Sequence, residues 1–251
     1  VLAGSGGSVT GSGSFSHGSN PSISATPDTG YSFIGWNGEG TADPNASSTT
    51  VEMSQARTLS ASFSLNSYDL TVLAGSGGSV TGSGSFSHGS NPSISATSDT
   101  GYSFNGWSGE GTADPNASST TVDMSQARIL SASFSLNSYD LTVLAGSGGS
   151  VSGSGSFSHG TNPSISATPD TGYSFNGWNG EGIADPSAPS TTVDMSQARS
   201  LSASFSLNSY DLTVLAESGG SVSGSGSFPH GSLVNVSATP NSGYSFVQWV
   251  G

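Results

Sequence analysis

Histidine recurs once in every 71 residues of this chain, always just before a glycine or a glycine-containing turn. The four histidines are His17, His88, His159 and His230. A histidine beside serines could activate a hydroxyl as a nucleophile. Each repeat, however, has no second histidine, and the chain has no Gly-x-Ser-x-Gly segment that would expose a serine. We therefore expect histidines that sit in turns and a protein that is not an enzyme.

A glutamate and an aspartate four residues later recur in one loop of the first three repeats. Their oxygens, with those of Asn45 or Asn116, are of the type that binds calcium, but the spacing does not match an EF-hand loop. The third repeat has Ser187 in place of the asparagine. We expect solvated loop carboxylates and no cofactor, with calcium as the weaker alternative. The candidate calcium ligands are Glu39, Asp43, Glu110, Asp114, Glu181 and Asp185.

The charge balance limits the possible partners. Sixteen acidic residues stand against three arginines and no lysine, which gives a net charge of -13. A surface this acidic repels phosphate groups, so we expect no nucleic-acid partner and no insertion into a membrane. Cysteine is absent, which excludes disulfides and thiolate metal sites.

A Tyr-x-Phe-x-x-Trp cluster is the strongest repeated signal, and its copies are also 71 residues apart. A unit of this size is large enough for a core of its own. We predict repeats at 1–67, with a truncated first strand, at 68–138, at 139–209, and at 210–251, without the closing hairpin. The predicted core rings are Tyr31, Phe33, Trp36, Tyr102, Phe104, Trp107, Tyr173, Phe175, Trp178, Tyr244, Phe246 and Trp249.

Period-two alternation predicts the strands of the second repeat. Leu70 and Val72 indicate a first strand that is buried on one face. The pattern predicts one further strand over residues 80–86, with Gly82 and Gly84 on the same face as its apolar residues. Glycine within a strand is typical of close approach by another group, and we expect that group to be the tryptophan of the same repeat.

The aromatic strand needs an irregularity to bring its tryptophan to the core. Tyr102 and Phe104 share one face, whereas strict alternation places Trp107 on the other. We predict a β-bulge at Gly106, with Asn105, whose position varies between the copies, facing solvent.

The last part of the repeat reads as a closing hairpin. Val122 and Met124 form one apolar face, and residues 130–136 alternate in a last strand. We place Ile129 in the loop between these two strands, because its position is Thr58 and Ser200 in other copies.

These patterns predict an all-β protein with about six short strands in each repeat and little or no helix. The fold of each repeat would be β-grasp-like or a small β-sandwich. Only pairs such as Asn66 and Ser67 connect the repeats. We therefore expect a semi-rigid array of beads on a string, with about 30 to 40 Å for each repeat from strands of about eight residues.

The motifs together resemble the divergent internalin (InlB) B-repeat family. The resemblance covers the whole chain and lies in segments such as 68–72, 77–84, 193–195 and 203–205. Its most specific part is Ala-Thr-Pro-x-x-Gly-Tyr-x-Phe-x-Gly-Trp at 167–178. Ser98, Glu217 and Gln248 depart from the pattern. The resemblance implies tandem modules in a secreted or surface protein of a bacterium, with a fold similar to the β-grasp and no catalytic residues.

The function expected from the sequence is mechanical, that of a spacer in an extracellular adhesin or fibre. Its partners would be neighbouring repeats of the same chain. One alternative is a module that binds a glycan or a host surface, with Tyr102 and Trp107 as a stacking platform. A further alternative is a filament in which sheet edges of separate copies pair.

Overall fold

The computed structural model describes residues 1–251, which form 24 β-strands and no helix. The prediction of an all-β tandem array is therefore confirmed. The chain divides into two compact units, residues 1–135 and residues 136–251. Each unit contains about two of the 71-residue repeats.

The strands are short, as expected from the frequent glycine turns. The first repeat contains β1 (Leu2–Ala3), β2 (Gly7–Thr10), β3 (Ser22–Pro27), β4 (Tyr31–Asn37), β5 (Ser48–Thr50) and β6 (Ser60–Leu65). The second contains β7 (Ser67–Ala74), β8 (Gly78–Thr81), β9 (Gly84–Ser87), β10 (Ser93–Ser98), β11 (Tyr102–Ser108), β12 (Ser119–Thr121) and β13 (Arg128–Leu136). The third contains β14 (Ser138–Ala145), β15 (Gly149–Ser152), β16 (Gly155–Ser158), β17 (Ser164–Pro169), β18 (Tyr173–Asn179), β19 (Ser190–Thr192) and β20 (Arg199–Leu207). The fourth contains β21 (Ser209–Leu212), β22 (Gly220–Ser223), β23 (Gly226–Pro229) and β24 (Ser237–Pro240).

A complete repeat consists of two sheets. In the second repeat, one sheet has the order β11-β13-β7-β9 and the other has the order β12-β10-β8. The first and last strands, β7 and β13, pair in parallel at the centre of the larger sheet. The third repeat has the same two sheets. Of the two predicted forms, the small sandwich of two sheets is the one found.

The core of each complete repeat lies between its two sheets. In the second repeat, Leu70 and Leu130 from the larger sheet meet Ile94 from the smaller one, and all three are at most 2% exposed. Burial of one such side chain stabilises a fold by about 1.5 to 3 kcal/mol. The third repeat has a separate cluster of equivalent residues, and the first repeat has a separate, smaller cluster. Each of the first three repeats therefore has its own core.

The prediction of one strand over residues 80–86 is wrong. The segment forms β8 in the smaller sheet and β9 in the larger one, with a corner at Gly82, whose φ is +114°. Ser83 stabilises this corner, since its hydroxyl accepts a hydrogen bond from the Val72 N–H at 2.9 Å. A Cβ atom at Gly82 would overlap β10 at Ser93, so the group close to this glycine is a neighbouring strand and not the tryptophan.

The predicted closing hairpin is also wrong. Residues 119–124 run beside residues 90–95 in the smaller sheet, as shown by the Met124 N–H bond to the Ser90 carbonyl. β13 instead crosses to the larger sheet. Ile129 lies within β13 and is 68% exposed on its outer face, so it is not a loop residue. Val122, Met124 and Leu130 are nevertheless fully buried.

The predicted bulge is confirmed where the strand register is defined, in the first and third repeats. The pairing shifts between Phe33 and Gly35, and between Phe175 and Gly177. The extra residue turns the following indole towards the core. As predicted, the variable position within the bulge faces solvent, and Ile34 is 57% exposed.

The fourth repeat differs because residues 210–251 contain no counterpart of β20. It forms two sheets of two strands each, β21-β23 and β22-β24. The indoles of the first three repeats are 4 to 7% exposed, whereas Trp249 is 44% exposed. Tyr244 and Phe246 are also exposed, so the rings of the fourth repeat do not have the buried position expected for them.

Candidate functional site

The most specific arrangement of side chains in the first unit lies where the first repeat meets the second. β6 ends at Leu65 and β7 begins at Ser67, so Asn66 alone connects the two repeats. We call this region the joint. The joint consists of Gly30, Ser32, Asn66, Tyr68 and His88.

Asn66 is held at three points. Its backbone N–H donates to the Gly30 carbonyl at 2.8 Å, and its own carbonyl accepts from the His88 N–H at 2.8 Å. Its side-chain Oδ1 accepts from the Ser32 hydroxyl at 2.6 Å. The connecting residue is therefore bonded to both repeats and has little freedom to rotate.

The imidazole ring of His88 packs on the backbone of Gly30. Gly30 has φ +81°, which favours glycine. A Cβ atom at this position would overlap the His88 ring. Tyr68 meets the same ring edge to face, with 6.0 Å between the ring centroids. Glycine is therefore required at residue 30 both by the backbone conformation and by the close approach of the histidine.

The same joint occurs in the second unit between the third and fourth repeats. The Asn208 N–H donates to the Gly172 carbonyl and the His230 N–H donates to the Asn208 carbonyl, both at 2.8 Å. The Ser174 hydroxyl bonds to Asn208 Oδ1 at 2.5 Å, and a Cβ atom at Gly172 would overlap the His230 ring. The same contacts therefore recur at two connections between repeats.

The prediction that the histidines lie in turns is correct. The contact that His88 makes with the preceding repeat was not predicted. The available signal was the asparagine that precedes the first strand of each following repeat, at Asn66, Asn137 and Asn208. His17, which has no preceding repeat in this sequence, is exposed.

The acidic loops have other partners. Glu110 and Asp123 both pair with Arg128, at 3.9 and 3.4 Å. Asp114 Oδ1 accepts a hydrogen bond from the Asn116 N–H at 2.9 Å, which closes a local turn. No group of three or more acidic, histidine or cysteine side chains is placed to hold a metal ion. Glu110 and Asp114, two of the candidate calcium ligands, therefore interact with different partners.

Comparison with protein-family models identifies the family of the chain. A model described as the divergent InlB B-repeat domain matches residues 1–67, 68–138, 139–209 and 210–251. The chain belongs to the divergent InlB B-repeat family. This confirms the resemblance seen in the sequence, and the family is typical of bacterial surface proteins. No curated protein matches the chain. The structure contains no helix that is long and apolar enough to span a membrane.

The indoles of these B-repeats act within the core. Trp107 is 6% exposed, its Nε1–H donates to the Ala117 carbonyl at 2.9 Å, and its ring meets Phe104 edge to face at 5.6 Å. Trp36 and Trp178 make the same hydrogen bond to Ala46 and Ala188. A ring in this position has no free face on which a sugar could stack.

The third B-repeat offers a test of the acidic loop. The Ser187 hydroxyl and backbone N–H bond to Asp185 and hold the pKa of this carboxyl below its usual range. We expect Ser187→Ala to raise the pKa of Asp185, measured by NMR titration of the carboxyl carbon. Because the folded state lowers this pKa, the stabilisation is present above about pH 3.9 and is lost as the pH falls.

Asp194 is the control for this substitution. Its pKa is also lowered, chiefly by the Ser196 hydroxyl, and should not change in Ser187→Ala. An unchanged pKa of Asp185 would show that the hydroxyl of Ser187 does not interact with this carboxyl in solution.

Proposed function

We propose that these divergent B-repeats form a non-enzymatic spacer in a bacterial surface adhesin or fibre, and that they hold another domain away from the cell. The observation that carries the proposal is the joint at Asn66. A connection of one residue, bonded on both sides, resists bending far more than a flexible linker would.

The energetics of the joint support this role. A hydrogen bond contributes about 0.5 to 1.5 kcal/mol to stability, and Asn66 takes part in three. The packing of His88 on Gly30 adds a contact that excludes water. Together these interactions favour one relative orientation of the first two repeats over the many that a free linker would allow.

The separate cores support the same role. The buried clusters of the first three repeats each lie within one repeat. Repeats can therefore be added or removed without rebuilding a shared core. A spacer evolves in this way when its required length changes.

The other two roles considered for the sequence have less support. A glycan platform built on Trp107 would need an exposed indole face, and this ring is buried. Filament formation by edge pairing would have to use β11, the seven-residue edge strand of the larger sheet, because the edge strands β8, β9 and β12 have only three or four residues. We propose neighbouring repeats as the principal partners, in an extracellular setting.

Small-angle X-ray scattering on the full chain tests the proposal. We expect an extended particle, with about 30 to 40 Å for each repeat. Insertion of Gly-Ser-Gly-Ser after Asn66 should broaden the distribution of interatomic distances, because it replaces the bonded connection with a flexible one.

The matched control inserts the same four residues between Gln126 and Ala127, in an exposed turn within the second repeat. This insertion leaves the joint intact and should leave the scattering profile close to that of the parent chain. A compact globular profile for the parent chain, or equal profiles for the two insertions, would contradict the spacer role.

A further inference from the structure

The joint contains one polar atom without a partner. Nδ1 of His88 is buried and makes no hydrogen bond. The same is true of Nδ1 in His159, the equivalent residue of the third repeat. A buried polar atom with no partner is uncommon in folded proteins, and here it belongs to an imidazole ring, which can take up a second proton.

The protonation state of His88 decides whether this arrangement is tolerated. In the neutral ring, Nδ1 can be the unprotonated nitrogen, and its lone pair meets no donor. In the imidazolium ion both nitrogens carry hydrogen. Nδ1–H would then be a charged donor, buried without an acceptor, which is much more costly than an unpaired lone pair.

His88 makes no ion pair that would offset this cost. The turn of the first repeat that packs on the ring contains Asp28, and β7 contributes Tyr68 and Asp69. All ion pairs within the first unit are made by Arg57 or Arg128, and none involves His88. A protonated ring would therefore have no carboxylate partner within the joint.

We propose that protonation of His88 opens the joint between the first two repeats, so that the spacer is stiff at neutral pH and bends freely in mild acid. The inference rests on the proposed spacer function and names its regulation. The joint requires the neutral ring, so uptake of a proton favours the open state, and the stability of the joint falls as the pH drops. Carboxylates titrate near pH 4. Histidine is therefore the side-chain type in this protein that changes its charge between pH 7.5 and 5.5.

Amide hydrogen exchange on the full chain tests the proposal at the joint itself. The N–H groups of Asn66 and His88 both donate joint hydrogen bonds. After correction for intrinsic exchange rates, we expect their protection factors to fall by up to about tenfold between pH 7.5 and 5.5, the largest change that one histidine allows. The Trp107 N–H, which bonds to Pro115 within the second repeat, should keep its protection and serves as the internal reference.

Two variants identify the histidine responsible. His88→Phe keeps a ring on Gly30 but cannot be protonated, and its joint protection should not depend on pH. His17→Phe alters the equivalent but exposed residue of the first repeat and should keep the full response of the parent chain.

Three results would overturn the proposal: equal protection of Asn66 at both pH values in the parent chain, an equal loss at Trp107, or the same pH response in His88→Phe. If His88→Phe fails to form the joint, the proposal is still tested in the parent chain, by comparing the change in amide protection of Asn66 with that of Trp107 between the two pH values. An extended particle at pH 7.5 whose joint does not respond to acid would leave the spacer function intact and refute only its regulation.

Discussion

Replacement of Trp107 by alanine is expected to unfold the second repeat. The indole is 6% exposed and packs against Phe104, and its Nε1–H bonds to the Ala117 carbonyl. Truncation of a buried aromatic side chain to alanine costs about 3 to 5 kcal/mol. Domains of this size have only a few kcal/mol of net stability, so the loss is comparable with the whole stability of the repeat.

Trp249 provides the control within the same chain. It occupies the equivalent position in the fourth repeat but is 44% exposed. Trp249→Ala should change stability by only about 0.5 kcal/mol, as is usual for exposed positions. Hydrogen exchange detected by mass spectrometry can monitor denaturant-induced unfolding separately for each repeat. This measurement distinguishes the two variants. Equal destabilisation by both substitutions would mean that burial of the indole does not hold the repeat together.

The elements that could be predicted from the sequence are those set by local patterns. Alternation at Leu70 and Val72 predicted a strand and its buried face correctly. The bulge beside the tryptophan was predictable for the same reason. Regular alternation of apolar residues, and its interruption by the one extra residue of a bulge, can both be recognised within the sequence of a single strand.

The pairing of the strands could not be predicted in this way. Alternation shows that Val122 and Leu130 face the core, but it does not show that they reach it from opposite sheets. A closing hairpin and a crossover between two sheets satisfy the same pattern. The corner at Gly82 was missed because residues on either side of it keep the same alternation while belonging to different sheets.

The joint was beyond prediction for another reason. Gly30 and His88 lie in different copies of the repeat, and each residue alone is typical of a turn. Near-identity of the copies conserves every residue alike, so it gave no sign that this pair meets. Their contact appears only when the orientation of one repeat against the next is known.

Replacement of Gly30 by alanine is expected to open the joint. Gly30 has φ +81°, where an L-residue costs about 1 to 2 kcal/mol. The added Cβ would also overlap the His88 ring, which must then move away from Gly30. We expect the protection of the Asn66 and His88 amides to fall by about tenfold or more, equivalent to about 1.4 kcal/mol.

Gly243→Ala separates the two causes. Gly243 lies in the same turn of the fourth repeat, with φ +86° and the same Tyr244 N–H bond back to Asn241 that Tyr31 makes to Asp28. A Cβ atom there would meet nothing within 4 Å. Both variants carry the backbone strain, but only Gly30→Ala displaces a histidine.

The two variants therefore measure the contribution of the joint by difference. Local exchange at Tyr31 and Tyr244 should increase to a similar extent in the two proteins, because the strain is the same. Increased exchange at Asn66 and a broader scattering profile should follow only from Gly30→Ala. If Gly30→Ala affects its own turn and leaves Asn66 protected, the packing of the histidine on the glycine does not fix the repeats, and the three hydrogen bonds of Asn66 alone must account for the stiffness of the joint.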